Sequence, residues 1–133
     1  MDVSVFYGSD GKYHTVAVGS NGSNCLIRYV HASSITDSWS TPVSIIPGSL
    51  TSVYVLSETH AVAIGDDGLV IYSDDAFLSW KTISHTELDA MGNGSVINGL
   101  NLTSVRALSS QEFSIVGRVN SFDVNVQQGQ SKI

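Results

Sequence analysis

Between Tyr72 and Trp80 the chain reads YSDDAFLSW, which places two serines, two aspartates and a tryptophan within nine residues. Residues of these types do chemistry when they converge: carboxylates hold metals, and a serine beside a base attacks carbonyls. No partner for either chemistry stands at a useful spacing. His14, His31, His60 and His85 show no strand pairing at i, i+2 and no His-x-x-x-His, so no zinc site is expected. The acidic runs GDDG and SDD match no calcium loop. Nucleophile-elbow, phosphate-loop and dinucleotide fingerprints are all missing. The expectation is therefore neither a metal nor a cofactor, and no catalytic residue.

The elements that would position these residues come from composition and patterning. The chain has 133 residues, with 42% hydrophobic and 14% charged residues and a net charge of −6. Such a length suits a single domain with a real core. Serine and threonine fill much of the polar surface. The six cations, Lys12, Arg28, Lys81, Arg106, Arg118 and Lys132, are scattered. A phosphate-tracking surface needs clustered positive charge, so nucleic acid is not an expected partner, and neither is an anionic membrane surface. No apolar run reaches the about 18 residues of a membrane span. The start, MDVSVFYGSDGKYH, has neither the basic segment nor the apolar stretch of a signal peptide, which makes cytosolic synthesis the default expectation. The single cysteine, Cys25, lies in the apolar run CLIRYV, where a free thiol acts as a small hydrophobe. The sequons at Asn21, Asn93 and Asn101 arise readily by chance in a chain this rich in serine and threonine.

The chain repeats. LTSVYVLSETHAVAIG, Leu50 to Gly65, aligns without a gap on LTSVRALSSQEFSIVG, Leu102 to Gly117. Leu-Thr-Ser-Val, Leu-Ser and the closing Gly recur in both. A third copy opens the chain, where VAVGSNG at Val16 to Gly22 matches VAIGDDG at Val62 to Gly68. Each copy reads as consecutive short strands: Val, Ile, Tyr and Thr fill the strands, and Gly, Asp, Asn and Ser mark the turns. Asp67-Gly68 reads as a hairpin turn. AVAIG is apolar at every position, as expected of a sheet covered on both faces. Only HTELDAM, inside the 84–99 loop, offers one helical turn.

Four strands in a repeat of about 45 to 50 residues describe a β-propeller blade. The expected fold class is all-β, with antiparallel four-stranded blade repeats in one domain over residues 1–133. That gives about three blade-like units, near 1–47, 48–99 and 100–133, with about 11 strands and an incomplete third unit. A solenoid of unlike hairpins and a two-sheet sandwich are the alternatives.

On these residues the chain resembles the Asp-box, or BNR-repeat, β-propellers, a family that reads Ser/Thr-x-Asp-x-Gly-x-Thr/Ser-Trp after the third blade strand. Ser73, Asp75, Ser79 and Trp80 stand at that spacing, and Phe77 occupies the glycine position. VAIGDDGLVIY is similar to the lead-in of photosystem II assembly-factor-type blades, and the box itself also occurs in sialidase-like propellers. The first copy keeps Ser38 and Trp39 but has no aspartate at the box position, and the third copy has no box. The resemblance implies a structural turn on the blade periphery, in which the aspartate and serines bond to local backbone and the tryptophan inserts between sheets. A sialidase would need an arginine triad and converging carboxylates. LIRY around Arg28 lacks the Arg-Ile-Pro motif, and Arg106 sits in a plain strand.

The expected function is a non-catalytic propeller-type binding or scaffold module making protein or carbohydrate contacts. The alternatives are a structural or attachment component of a large assembly such as a virus particle, and a fragment of a sialidase-like glycoside hydrolase. Three blades leave open sheet faces, so self-association or embedding in a larger assembly is expected to complete the ring. Under a glycan-binding role Phe77, Tyr7 and Tyr13 are the candidate ligand contacts; the alternative, which is favoured, is that these rings pack between sheets.

Overall fold

The computed structural model describes residues 1–34, 37–41, 46–83, 101–109, 112–119 and 122–130; in the last three ranges side chains are described at 104–106 alone. The helical turn expected in HTELDAM lies outside these residues.

Among the described residues the chain is all-β. Three strands, β1 (Asp2–Tyr7), β2 (Tyr13–Ser20) and β3 (Cys25–Ala32), form a first antiparallel meander. A second has four strands, β4 (Leu50–Val55), β5 (Ala61–Gly65), β6 (Val70–Ser73) and the short β7 (Lys81–Thr82). A third is built from β8 (Asn101–Ser109), β9 (Glu112–Val119) and β10 (Phe122–Gln130). In every sheet the strand order follows the chain order, which is the layout expected from alternating strand and turn signals. The first sheet has an outer partner as well, because Ser40 N–H donates to the Tyr29 carbonyl at 2.8 Å and Cys25 N–H to the Ile46 carbonyl at 2.8 Å.

The sequence repeat is also a repeat of register. Leu50 pairs with Gly65, the register then slips by one residue, and Ser52 pairs with Ile64 and Val53 with Ala63. In the third unit Leu102 pairs with Gly117, the register slips at the same place, and Ser104 pairs with Val116 and Val105 with Ile115. The recurring threonines, Thr51 and Thr103, are the extra residues of the two bulges. Such a bulge bends the strand and increases its twist. The closing glycine of the repeat has a steric cause. A Cβ on Gly65 would lie 1.8 Å from the Ser49 carbonyl oxygen, because that carbonyl accepts the Asp66 N–H at 3.1 Å.

The turns follow their sequence signals. Asp67 and Gly68 both take positive φ, 57° and 71°, and the Leu69 N–H donates to the Asp66 carbonyl at 3.2 Å. That is the type I′ chemistry for which Asp-Gly is selected. In the β2–β3 turn the Asn21 side chain accepts the Ser23 and Asn24 N–H groups at 3.1 and 2.9 Å, and Gly22 supplies a φ of 103°.

The sheets stack face to face. Every residue of β5 is buried, as its unbroken apolar pattern requires. One face of the second sheet, with Val53, Val55, Ala61, Ala63 and Ile71, forms a single core with Val16, Val18, Cys25 and Ile27 of the first. On the far side β8 lies against β4 and β5, and the Arg106 guanidinium stands 5.9 Å from the Tyr54 ring centre. Cys25 is free and fully buried, and burial pushes its thiol up from the ordinary value. The free edge of β4 is closed by side chains of β1. Asp2 accepts the Val53 N–H at 3.1 Å and the Ser52 hydroxyl at 3.2 Å, while Ser4 accepts the Val55 N–H at 3.0 Å. Edge N–H groups buried between sheets need such partners.

Gly65→Ala is expected to destabilise the chain by about 2 kcal/mol or more, since the methyl group meets backbone that cannot yield cheaply. Urea denaturation of the two proteins measures the difference, and an unchanged midpoint would remove the steric account of the repeat's glycine.

Candidate functional site

The junction between the first and second units gathers most of the polar and aromatic side chains singled out in the sequence. Its first component is the turn after β6. The Ser73 hydroxyl donates to Asp75 Oδ1 at 2.9 Å and accepts the Phe77 N–H at 3.1 Å. Asp75 Oδ1 also accepts the Ser79 N–H at 3.0 Å, and the Ser79 hydroxyl donates to Asp75 Oδ2. These bonds hold the Asp75 carboxyl below the ordinary carboxylate range. The Ser79 hydroxyl has the largest effect, then the Ser79 backbone N–H, with Ser73 adding to them against partial burial. All three polar residues are spent on the turn itself.

Phe77 takes the packing alternative and drops out as a ligand contact. The residue proposed as a ligand contact is fully buried, with no exposed surface. Its φ is +73°, and that of Ala76 is +63°. The left-handed conformation explains why glycine suits this position. Phenylalanine tolerates it here because its ring fills the junction. It stacks on the His31 ring at 5.2 Å with 12° between planes, meets Tyr29 edge-on at 6.2 Å, and stacks on Trp80 at 6.4 Å. Burying a phenylalanine is worth about 1.5–3 kcal/mol, against about 1–2 kcal/mol for left-handed backbone, so packing prevails. Trp80 is partly buried against the same core. Its indole N–H is buried and finds no acceptor among the described residues.

The second component was not visible in the sequence. His14 Nδ1 lies 2.6 Å from His31 Nδ1, His31 Nε2 lies 3.0 Å from the Ala76 carbonyl oxygen, and His14 Nε2 lies 3.0 and 3.1 Å from the two Asp10 oxygens. His14 is buried and Asp10 is exposed. The His14 ring, and after it the Lys12 backbone N–H at 3.0 Å, hold the Asp10 carboxyl below its ordinary value. Strand β2 presents His14 and β3 presents His31 as directly paired residues, so the contact is cross-strand. Ala76 belongs to the second unit's turn, so the chain of bonds ties the two units together. His14 and His31 carry no local signal, because their pairing is created by sheet register alone.

The first unit builds its corresponding turn differently, as its sequence suggested. Asp37 Oδ2 accepts the Ser33 N–H at 2.8 Å and the Ser34 N–H at 3.3 Å, reaching backward where Asp75 reaches forward. Tyr7 and Tyr13 form an exposed tilted pair, ring centres 4.8 Å apart, at the end of the β1–β2 hairpin. They stand apart from the buried aromatic cluster. Arg28 is on β3, and Arg106, on β8, donates to its neighbour's carbonyl at 2.6 Å.

No family model matches the chain, and no curated protein matches it. Among solved structures it is similar to YCF48 from Cyanidioschyzon merolae, with a TM-score of 0.48 and 13% identity. The match covers 93% of this chain and 50% of that one, so this chain spans half the length of that structure.

Two outcomes follow from the turn. Phe77→Gly relieves the backbone but empties the junction, and is expected to cost about 2–4 kcal/mol net; a stabilised variant in urea denaturation would show that strain dominates. Asp75→Asn is expected to lose about 1–3 kcal/mol at neutral pH. Because the folded carboxyl is depressed, its contribution is complete above the ordinary value of 3.8 and is lost as pH falls through the depressed one. The gap between wild type and variant should therefore close in acid, read from unfolding midpoints down to about pH 2.

Proposed function

We propose that the chain is a non-catalytic β-propeller-type interaction module that associates with a second copy of itself through the outward face of its first unit. The turn from Ser73 to Trp80 then serves as an Asp-box that fixes the blade corner, and not as a reactive centre. One observation carries the reading. Aligned by strand register, Val3 pairs with Ala17 and Val5 with Thr15, where Val53 pairs with Ala63 and Val55 with Ala61. Val53 and Val55 are buried, 2% and 4% exposed, beneath the first unit, while Val3 and Val5 are 60% and 58% exposed. The same face is thus covered on the second unit and open on the first.

Tyr7 and Tyr13 extend that open stripe, and Trp39 lies beside a groove that it shares with Val5, Tyr13, Thr15 and Val30. An apolar surface of this kind marks an interaction site, and its equivalence to a face that receives a blade-like unit favours another such unit over a small ligand. Carbohydrate contact at the Tyr7–Tyr13 pair is the weaker reading, because the tyrosines continue the valine stripe instead of forming a separate platform.

Light scattering on the purified chain at tens of micromolar is expected to give a mass above that of the monomer. The double variant Val3→Glu, Val5→Glu should shift the association at least tenfold toward monomer with an unchanged circular dichroism spectrum. A folded wild-type monomer at these concentrations would overturn the proposal.

A further inference from the structure

We infer that the open face of the first unit receives the far face of a second copy's third unit, so that two chains join head to tail in a closed ring. This rests on the self-association proposed above and adds which two surfaces meet. Strand register assigns them. Val3, Val53 and Val105 hold the same place in the three units, opposite Ala17, Ala63 and Ile115. Val53 is buried beneath the first unit, and Val105 is buried where β8 lies against β4 and β5. Val3 is exposed, because no unit precedes it among the described residues. One face of each unit is thus built to receive its predecessor, and on the first unit that face is open.

The opposite side of each inner strand meets the successor. It carries Asp2 and Ser4 on the first unit and, in matching register, Ser52 and Tyr54 on the second and Ser104 and Arg106 on the third. Successive residues of a strand face opposite ways, so Ser104 and Arg106 belong to the side away from buried Val105. Ser104 is half-buried and Arg106 is exposed.

The strand edges give the contact its direction. At the junction inside the chain, Asp2 and Ser4 accept the Val53 and Val55 N–H groups at 3.1 and 3.0 Å along the free edge of β4. β1 is likewise the outermost strand of its sheet. The N–H groups of Val3 and Val5 face its free edge, as those of Val53 and Val55 face the edge of β4, and they meet no acceptor among the described residues. On the third unit the places of Asp2 and Ser4 are taken by Ser104, whose hydroxyl accepts an N–H, and Arg106, whose guanidinium donates to the carbonyls of the same edge. A head-to-tail contact therefore repeats the internal junction and covers both the valine stripe and the β1 edge. Stacking two first units face to face would cover the stripe and supply no acceptors. Contacts between unlike faces form a ring when their rotations close. Three units per chain make six from two copies, inside the range of about four to eight blades for propellers, and three copies would exceed it.

The test mixes two blocked chains. Val3→Glu with Val5→Glu blocks the first-unit face, while Ser104→Lys with Arg106→Glu exchanges acceptor for donor and donor for acceptor on the third. Sedimentation equilibrium of the wild-type chain at tens to hundreds of micromolar is expected to give the mass of two chains. Each blocked chain alone should associate at least tenfold more weakly, with an unchanged circular dichroism spectrum. Their equimolar mixture keeps one intact junction and should form dimers that neither chain forms alone. A pair of single variants reads the same contact without blocking it: Val3→Cys in one chain and Ser104→Cys in another should give mixed disulfide dimers on oxidation. A folded wild-type monomer would remove the self-association reading and this inference together. If the wild type associates but the Ser104, Arg106 variant associates as strongly, or only Val3→Cys chains cross-link with each other, self-association stands and the head-to-tail contact is overturned. A mass that keeps rising with concentration would overturn the closed ring.

Discussion

Strand β5 is buried along its whole length, and this one constraint organises the rest of the molecule. A strand that is apolar on both faces must lie in a sheet covered from both sides. The second unit meets that demand by taking the first unit on one face and β8 on the other. Stacked meanders of this type extend in one direction, so each unit solves its neighbour's burial problem and leaves its own far face open. On the first unit that open face is the valine and tyrosine stripe.

The same stacking buries polar groups such as His14, Ser52 and Ser73 at the junction, where each must find a partner. Asp2 and Ser4 close the free edge of β4, and His31 reaches the Ala76 carbonyl. These contacts fix how one sheet sits on the next, since apolar packing alone permits sliding. The turn between Ser73 and Trp80 contributes at both levels. Its serines and aspartate set the corner, and the corner drives Phe77 into the junction despite a left-handed backbone. The turn and the interface are therefore one device, and strain in the first is offset by packing in the second.

The sequence by itself determined the strands, the turns and the repeat, because these rest on local chemistry. The Asp67-Gly68 turn needs only its own residues, and β5 declares its burial by composition. The shared register of the second and third units follows from Leu-Thr-Ser-Val and the closing glycine, each of which acts within one hairpin. The roles of Ser73, Asp75 and Ser79 were legible for the same reason: their hydrogen bonds span at most four residues.

Only the tertiary structure decided what lies between units. Phe77 looked available to a partner because the sequence places it in a turn, and turns are ordinarily exposed. Its burial depends on His31, Tyr29 and Trp80 closing around it, and two of these belong to another sheet. His14 and His31 read as unrelated histidines until sheet register sets them side by side. Periodicity and spacing report on contacts along one chain segment. The meeting of side chains from separate sheets is fixed by how those sheets stack, and no local pattern encodes that geometry.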